Sequence, residues 1–341
     1  MRYYNIQIGT PSASTALNSL GAGGGRYTSH PNGPGAPPDP GALGAELDLL
    51  DVGAHFATGQ SWVRIWGVGL SDIAQARNLN PANGGGIGLP ITVSGGMGKG
   101  LPLANPAQAG VLIEGSIWQA FGNWQGVKQS LDLNLIPGSG RSPPLLGDQA
   151  PPVNISFNWM AGTALSTALA NALKTAFPNY KQKIAVSPKL VRANTETASY
   201  HSLTEFSHYL QDISTSIIKT PGYLGVTIGL NNDTITVSDG TQSFGTPKNI
   251  LFTDLVGQPT WIGLIEIQVS VIMRGDLNVM DQIKLPAGQV TTTAASLPSL
   301  RQGSVFQGTF QILRLHHVGN SRQPEGEAWI TTIDAVQVSQ S

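Results

Sequence analysis

The chain contains no cysteine, which removes disulfide frameworks, thiolate nucleophiles and every Cys-based metal site together. Folding must come from burial. No run approaches the roughly 20 apolar residues of a membrane span, and the opening residues Met1 to Ile8 lack the charged-then-apolar pattern of a secretory signal. The expectation is a soluble protein with no membrane anchor, made in a cytoplasm. Charge is scarce too: 11% of the 341 residues are Asp, Glu, Lys or Arg, against about 25% in an average soluble domain. A lone monomer covers itself with such residues, whereas the buried part of a protein interface is depleted of them. The deficit points to a surface shared with other chains, the alternative being a surface made polar by Ser, Thr, Asn, Gln and Gly. A net charge of -1 with no Lys/Arg run leaves no footprint for sequence-specific nucleic acid or an anionic membrane.

Catalytic motifs are missing as well. Gly59-Gln60-Ser61-Trp62-Val63 and Gly69-Leu70-Ser71-Asp72-Ile73 each lack the second glycine of a nucleophile elbow. Gly96-Met97-Gly98-Lys99-Gly100 suggests a phosphate loop, but Val93 stands where a glycine is required and Gly100 where a Ser or Thr would hold the metal. The run from Gly21 to Arg26 lacks the third glycine of the dinucleotide fingerprint. None of the six histidines falls in His-Glu-x-x-His, and adjacent His316 and His317 on a strand would face opposite sides. The residues therefore predict a protein that is not an enzyme, with no catalytic residue, no cofactor and no metal.

What is present is turn and strand chemistry. There are 42 glycines, well above the usual share of about 7%, clustered where strands would turn. Residues 21–44, rich in Gly and Pro, read as a long loop or arm. Leu131, Leu133 and Leu135 alternate with Asp132 and Asn134, the pattern of a half-buried antiparallel strand. Around Trp62 to Trp66, Val63 and Ile65 share one face and Trp62, Arg64 and Trp66 the other. If the aliphatic face is core, the other bears residue types enriched at interfaces; the alternative is that both faces are buried in the monomer. Leu165, Leu169, Leu173 and Phe177 predict an amphipathic helix ending before Pro178. Ser202 and Glu205 have capping-box spacing at the head of a second helix carrying Leu203, Phe206, Leu210, Ile213 and Ile217. Alternation then returns at Ile235 and Val237, from Ile265 to Met273, from Val305 to Val318 and from Trp329 to Val338, with a connection at Leu297 to Arg301. The predicted fold class is mainly β with a smaller α/β insert, divided at 1–150, 151–223 and 224–341. At this length, two or more domains are expected.

The stretches from Ser94 to Pro106 (SGGMGKGLPLANP) and from Gly115 to Gly126 (GSIWQAFGNWQG) resemble the central hub proteins of contractile phage baseplates, a group that includes the base of type VI secretion spikes. Ala57 to Val68, Asp254 to Ile262, Met273 to Asp276 and His317 to Arg322 fit the same family. The resemblance implies two tail-tube-like antiparallel β-barrels per chain, and a homotrimer forming a ring of pseudo-sixfold symmetry. Such a ring joins the tail tube protein above to the central spike protein below and touches other baseplate proteins. Tape measure protein and DNA pass through its bore. The implied location is the virion baseplate, assembled in the host cytoplasm, and no peptidoglycan-cleaving domain is covered. Trp62, Arg64, Trp66, Trp118, Phe121 and Trp124 are the expected interface residues; the last three supply area for the barrel core or for a neighbour. The other readings are a carbohydrate-binding or carbohydrate-cleaving tail protein and a tail tube subunit.

Overall fold

The computed structural model describes residues 1–9, 17–21, 24–53, 61–80, 88–138, 152–231, 233–286, 306 and 308–338. The N-terminal part forms β1 (Tyr3–Ile8), β2 (Ser19–Gly21), β3 (Gly24–Thr28), β4 (Gly44–Val52), β5 (Ser61–Trp66), β6 (Pro90–Gly96), β7 (Gly110–Gln125) and β8 (Lys128–Pro137), with a short helix α1 (Leu70–Gln75). The middle part holds β9 (Ile155–Trp159), α2 (Leu165–Ala176), β10 (Lys181–Ala185), β11 (Glu196–Tyr200), α3 (Leu203–Ile217), β12 (Thr227–Asn231) and β13 (Thr234–Ser238). The last part comprises β14 (Lys248–Asn249), β15 (Thr260–Trp261), β16 (Glu266–Ile272), β17 (Gln282–Lys284), β18 (Thr309–Asn320) and β19 (Trp329–Gln337). The protein is mainly β with a small helical insert. The Leu297 to Arg301 connection lies outside the described residues.

Among the described residues, the first and last parts share one 14-stranded sheet, in the order β15-β16-β19-β18-β4-β5-β8-β7-β6-β1-β3-β2, with β17 beside β18 and β14 beside β17. Pairing is antiparallel except between β14 and β17. The joint between the parts is β18 against β4, Arg314 to Asn320 opposite Val52 to Glu46. One face of this sheet covers two apolar cores. Ile6, Leu47, Val63, Ile65, Leu131 and Leu133 belong to the first; Ile267, Val269, Phe310 and Ile333 to the second. Each such side chain contributes about 1.5–3 kcal/mol on burial. Trp329 and Met273 cross from the last part into the first core, and the Trp329 indole N–H donates to the Gly96 carbonyl at 2.9 Å. Arg2, at the head of β1, donates to the carbonyls of Asn320, Gln323 and Glu325 in the turn between β18 and β19. Both links tie segments far apart in sequence.

Two expectations change here. Within the Gly/Pro arm, residues 24–28 form β3, paired to β1 and β2. The glycines permit this: a Cβ on Gly25 would sit 2.3 Å from the Ser19 carbonyl oxygen, so only glycine lets the backbones approach. Tyr27 then anchors the strand, donating from its hydroxyl to Asp72 of α1 at 2.8 Å. Burial and that carboxylate push its phenol well above the usual range. Downstream, the strands after the boundary drawn at 223 join the middle part, where β10, β13 and β12 form a three-stranded sheet.

Around that sheet the helices fold as their patterns direct. Leu165, Leu169 and Leu173 of α2 and Leu203, Phe206 and Leu210 of α3 are buried in a third core. Ser202 caps α3 by accepting from the Glu205 N–H at 3.0 Å. The Glu205 carboxylate reaches one residue further back than the box predicts, to the His201 N–H at 2.9 Å.

Candidate functional site

On the sheet face opposite the two cores, β5 presents Trp62, Arg64 and Trp66, all half-exposed, while Val63 and Ile65 are fully buried. The strand's period of two makes this unavoidable once the aliphatic pair is core. The Arg64 guanidinium lies 5.6 Å from the Trp62 ring centroid and 5.2 Å from that of Trp66, a cation held between two indoles. Register places Arg64 between Glu46 of β4 and Asp132 of β8. It donates to Asp132 at 2.6 Å and lies 4.0 Å from Glu46. The bond to Asp132 holds the guanidinium above even its usual high range.

The row continues to either side. Asn320 of β18 donates to Glu46 at 2.7 Å, and Asn123 of β7 donates to Asp132 at 2.6 Å. A second row runs from Gln268 through Asp334 to Arg314, with both donors on the one carboxylate, and His316 meets Asp48 at 2.6 Å. These carboxylates are engaged by neighbours on adjacent strands, so none stands free as an acid or base aimed into a cleft. Each exposed ion pair is worth about 0–1 kcal/mol. What the lattice supplies is a stiff, patterned polar surface. Among the described residues, no group of three His, Asp or Glu is placed to hold a metal.

The six residues singled out from the sequence divide. A bulge in β7 between Ile117 and Gln119 turns Trp118 outward. Phe121 pairs with Asp132, so it shares the face of Arg64. Trp118 and Phe121 are exposed and lie on β7, with β8 between them and β5. Trp124 pairs with Gln129, one step out of phase with Phe121 and Asn123, which puts it on the opposite face of the hairpin. Its indole N–H donates to the Gly126 carbonyl at 2.8 Å. Five of the six share a face, and Trp124 does not.

Sequence reasoning missed other exposed apolar side chains. Val127 is 99% exposed, in the two-residue turn between β7 and β8, where Gly126 takes a φ of 59°. Leu264 is also 99% exposed, and Leu251, Phe252 and Ile262 are exposed as well. The signal was an aliphatic residue directly after a turn glycine, at Gly126-Val127 and Gly263-Leu264, where a polar residue is ordinary.

The glycine that opens β7 has a structural use. Gly110 and Gly275 cross so closely that a Cβ on Gly110 would lie 2.5 Å from the Gly275 carbonyl oxygen. The Gly275 N–H there donates to the Gln108 carbonyl at 2.8 Å. Beside this crossing Arg274, only 4% exposed, binds Asp254 at 3.1 Å and Asp276 at 2.7 Å. With no side chain at either position, the two backbones can come this close.

No protein-family model matches the chain, and no curated protein is similar to it in sequence. Its fold does match a solved structure, the 43 kDa tail protein of prophage MuSo2 from Shewanella oneidensis. The TM-score is 0.50 at 7% identity, over 99% of this chain and 97% of that one. A tail protein from Neisseria meningitidis aligns at a TM-score of 0.46 and 9% identity, over 98% of this chain and 96% of that one. Prophage tail protein gp18 from Listeria monocytogenes aligns at 0.35 and 8%, over 99% and 95%.

Proposed function

We propose that the chain is a structural subunit of a phage tail, and within the tail the baseplate hub. The tail reading is supported by the shared fold with a prophage tail protein along nearly the whole of both chains, and the hub within it by the resemblance of Ser94 to Pro106 and Gly115 to Gly126 to hub proteins. The low charge and the patterned face of β18, β4, β5 and β8 favour a surface that meets other chains. The hub is a homotrimeric ring between the sixfold tail tube and the threefold central spike, located in the virion baseplate. Its work is geometric: burial between subunits holds the ring, and its bore passes tape measure and DNA without chemistry. On this reading Trp62, Arg64, Trp66, Trp118 and Phe121 meet a neighbouring protein on one face, and Trp124 meets it from the other side of the hairpin.

Copy number tests the proposal. Reconstruction of the particle should place three copies at the junction of tube and spike. Six copies per layer would assign the chain to the tube instead, and density at a fibre tip, with glycan binding, would move it to receptor recognition.

A further inference from the structure

We propose that the tip of the β7–β8 hairpin docks against the β15–β16 turn of a second copy of this chain, so that the two sites pair head to tail around a ring. This rests on the ring reading above and adds the surfaces that would close it. Along the hairpin, Trp118 and Phe121 are 40% and 49% exposed on one face, and Trp124, next to the turn on the opposite face, is 61% exposed. At about 200 Å² per large aromatic, they leave roughly 300 Å² of ring surface in water. Val127 at the turn is almost wholly exposed. This area is divided between the two faces of the hairpin, so it amounts to over a third of the roughly 800 Å² that one partner gives a standard interface only where the partner grips the hairpin from both sides.

The complementary site lies at one edge of the strand order, where β15 is the last strand. In the sheet, β7 and β8 are separated from β15 and β16 by β5, β4, β18 and β19. The β15–β16 turn exposes Ile262 and Leu264 and sits beside Glu266. Charge matches as well. From Trp118 to Gln129 the one ionisable residue is Lys128, and from Thr260 to Gln268 it is Glu266; neither makes an ion pair among the described residues. An apolar tip with one cation thus faces an apolar turn with one anion.

The arrangement selects the partner. Two different patches on distant parts of one chain make a heterologous contact, and a heterologous contact that closes makes a ring. Two hairpin tips meeting each other would set Lys128 against Lys128. Since the tip follows the last residues of β7 and the turn precedes the first of β16, the patches lie at opposite ends of the strand direction. Closure therefore inclines the strands to the ring axis.

The absence of cysteine makes the test direct. Val127→Cys and Leu264→Cys are made singly, and the two variants are mixed before assembly and treated with a short bismaleimide; light scattering reports the assembly mass separately. The expected result is a cross-linked dimer in the mixture and none from either variant alone, with the double variant forming a ladder that ends at the ring. Lys128→Glu should weaken assembly about fivefold at low salt, and Glu266→Lys in the same chain should restore it. Cross-linking of Val127→Cys alone overturns the head-to-tail pairing. A multimer by light scattering without a 127–264 cross-link overturns this contact and leaves the ring standing. A protein that stays monomeric in the presence of its tail partners overturns both.

Discussion

His317 makes the stability of this protein dependent on acid in a way that can be worked out from its surroundings. It sits on the core side of β18, 1% exposed. Nδ1 lies 2.9 Å from the Thr331 hydroxyl, and Nε2 has no partner among the described residues. Burial, with a smaller push from adjacent His316, lowers its pKa to about 3. In the unfolded chain an imidazole titrates near 6.5. The folded value is depressed, so protons favour the unfolded state. The contribution is intact above about pH 6.5 and is lost at about 1.4 kcal/mol per pH unit below it, until the folded group itself titrates near 3. From pH 6.5 to pH 5 that is about 2 kcal/mol, against a typical domain stability of about 5–15 kcal/mol. The perturbation is His317→Leu, which fills similar space and cannot take a proton. Urea unfolding followed by tryptophan fluorescence at pH 7.5 and pH 5 gives both stabilities. His30, another buried histidine whose pKa is lowered chiefly by desolvation, and every carboxylate remain in both proteins and cancel in the difference. The Leu variant should lose about 2 kcal/mol less than the parent between the two pH values. An equal loss in both would refute the reasoning, since it would mean that His317 takes up its proton while folded.

Three further substitutions probe the seam between the sheet's two parts. Gly275→Ala should cost about 3 kcal/mol or more, because a Cβ there meets the Gly110 backbone at 2.4 Å; a midpoint in urea within error of the parent would show that the crossing relaxes. Arg274→Met should cost about 3–5 kcal/mol by leaving Asp254 buried without its cation. Adding Asp254→Asn should recover part of that loss in a double-mutant cycle, and strict additivity would show the pair to be uncoupled.

Much of the local structure was legible because it depends on near neighbours. The alternation of Leu131, Leu133 and Leu135, the four-residue steps of α2, and the opposed faces of His316 and His317 each follow from the geometry of one element. The capping pair at Ser202 and Glu205 was also visible, although the carboxylate bonds one residue further back. The candidate site was legible in part. Period two put Trp62, Arg64 and Trp66 on one face, but their partners Glu46, Asp132 and Asn320 come from three other strands. β3 was missed because its glycines read as turn signals, whereas pairing with β1 turns their missing side chains into room for backbone. The odd spacing from Phe121 to Trp124 already sets those two on opposite faces, whereas spacing along a strand does not reveal the bulge that brings Trp118 round to the face of Phe121, and only sheet register shows it.

By itself, then, the sequence determined a β-rich chain with a helical insert, no disulfide, little charge and abundant glycine. Those are statements about composition and about periods of two to four residues. Only the tertiary structure decided that β18 pairs with β4 across more than 260 residues, that Trp329 fills the core of the other part, that Gly110 meets Gly275, and that His317 is held neutral. Partners that distant are selected by the burial and hydrogen bonding of the whole sheet, and no local pattern carries that information.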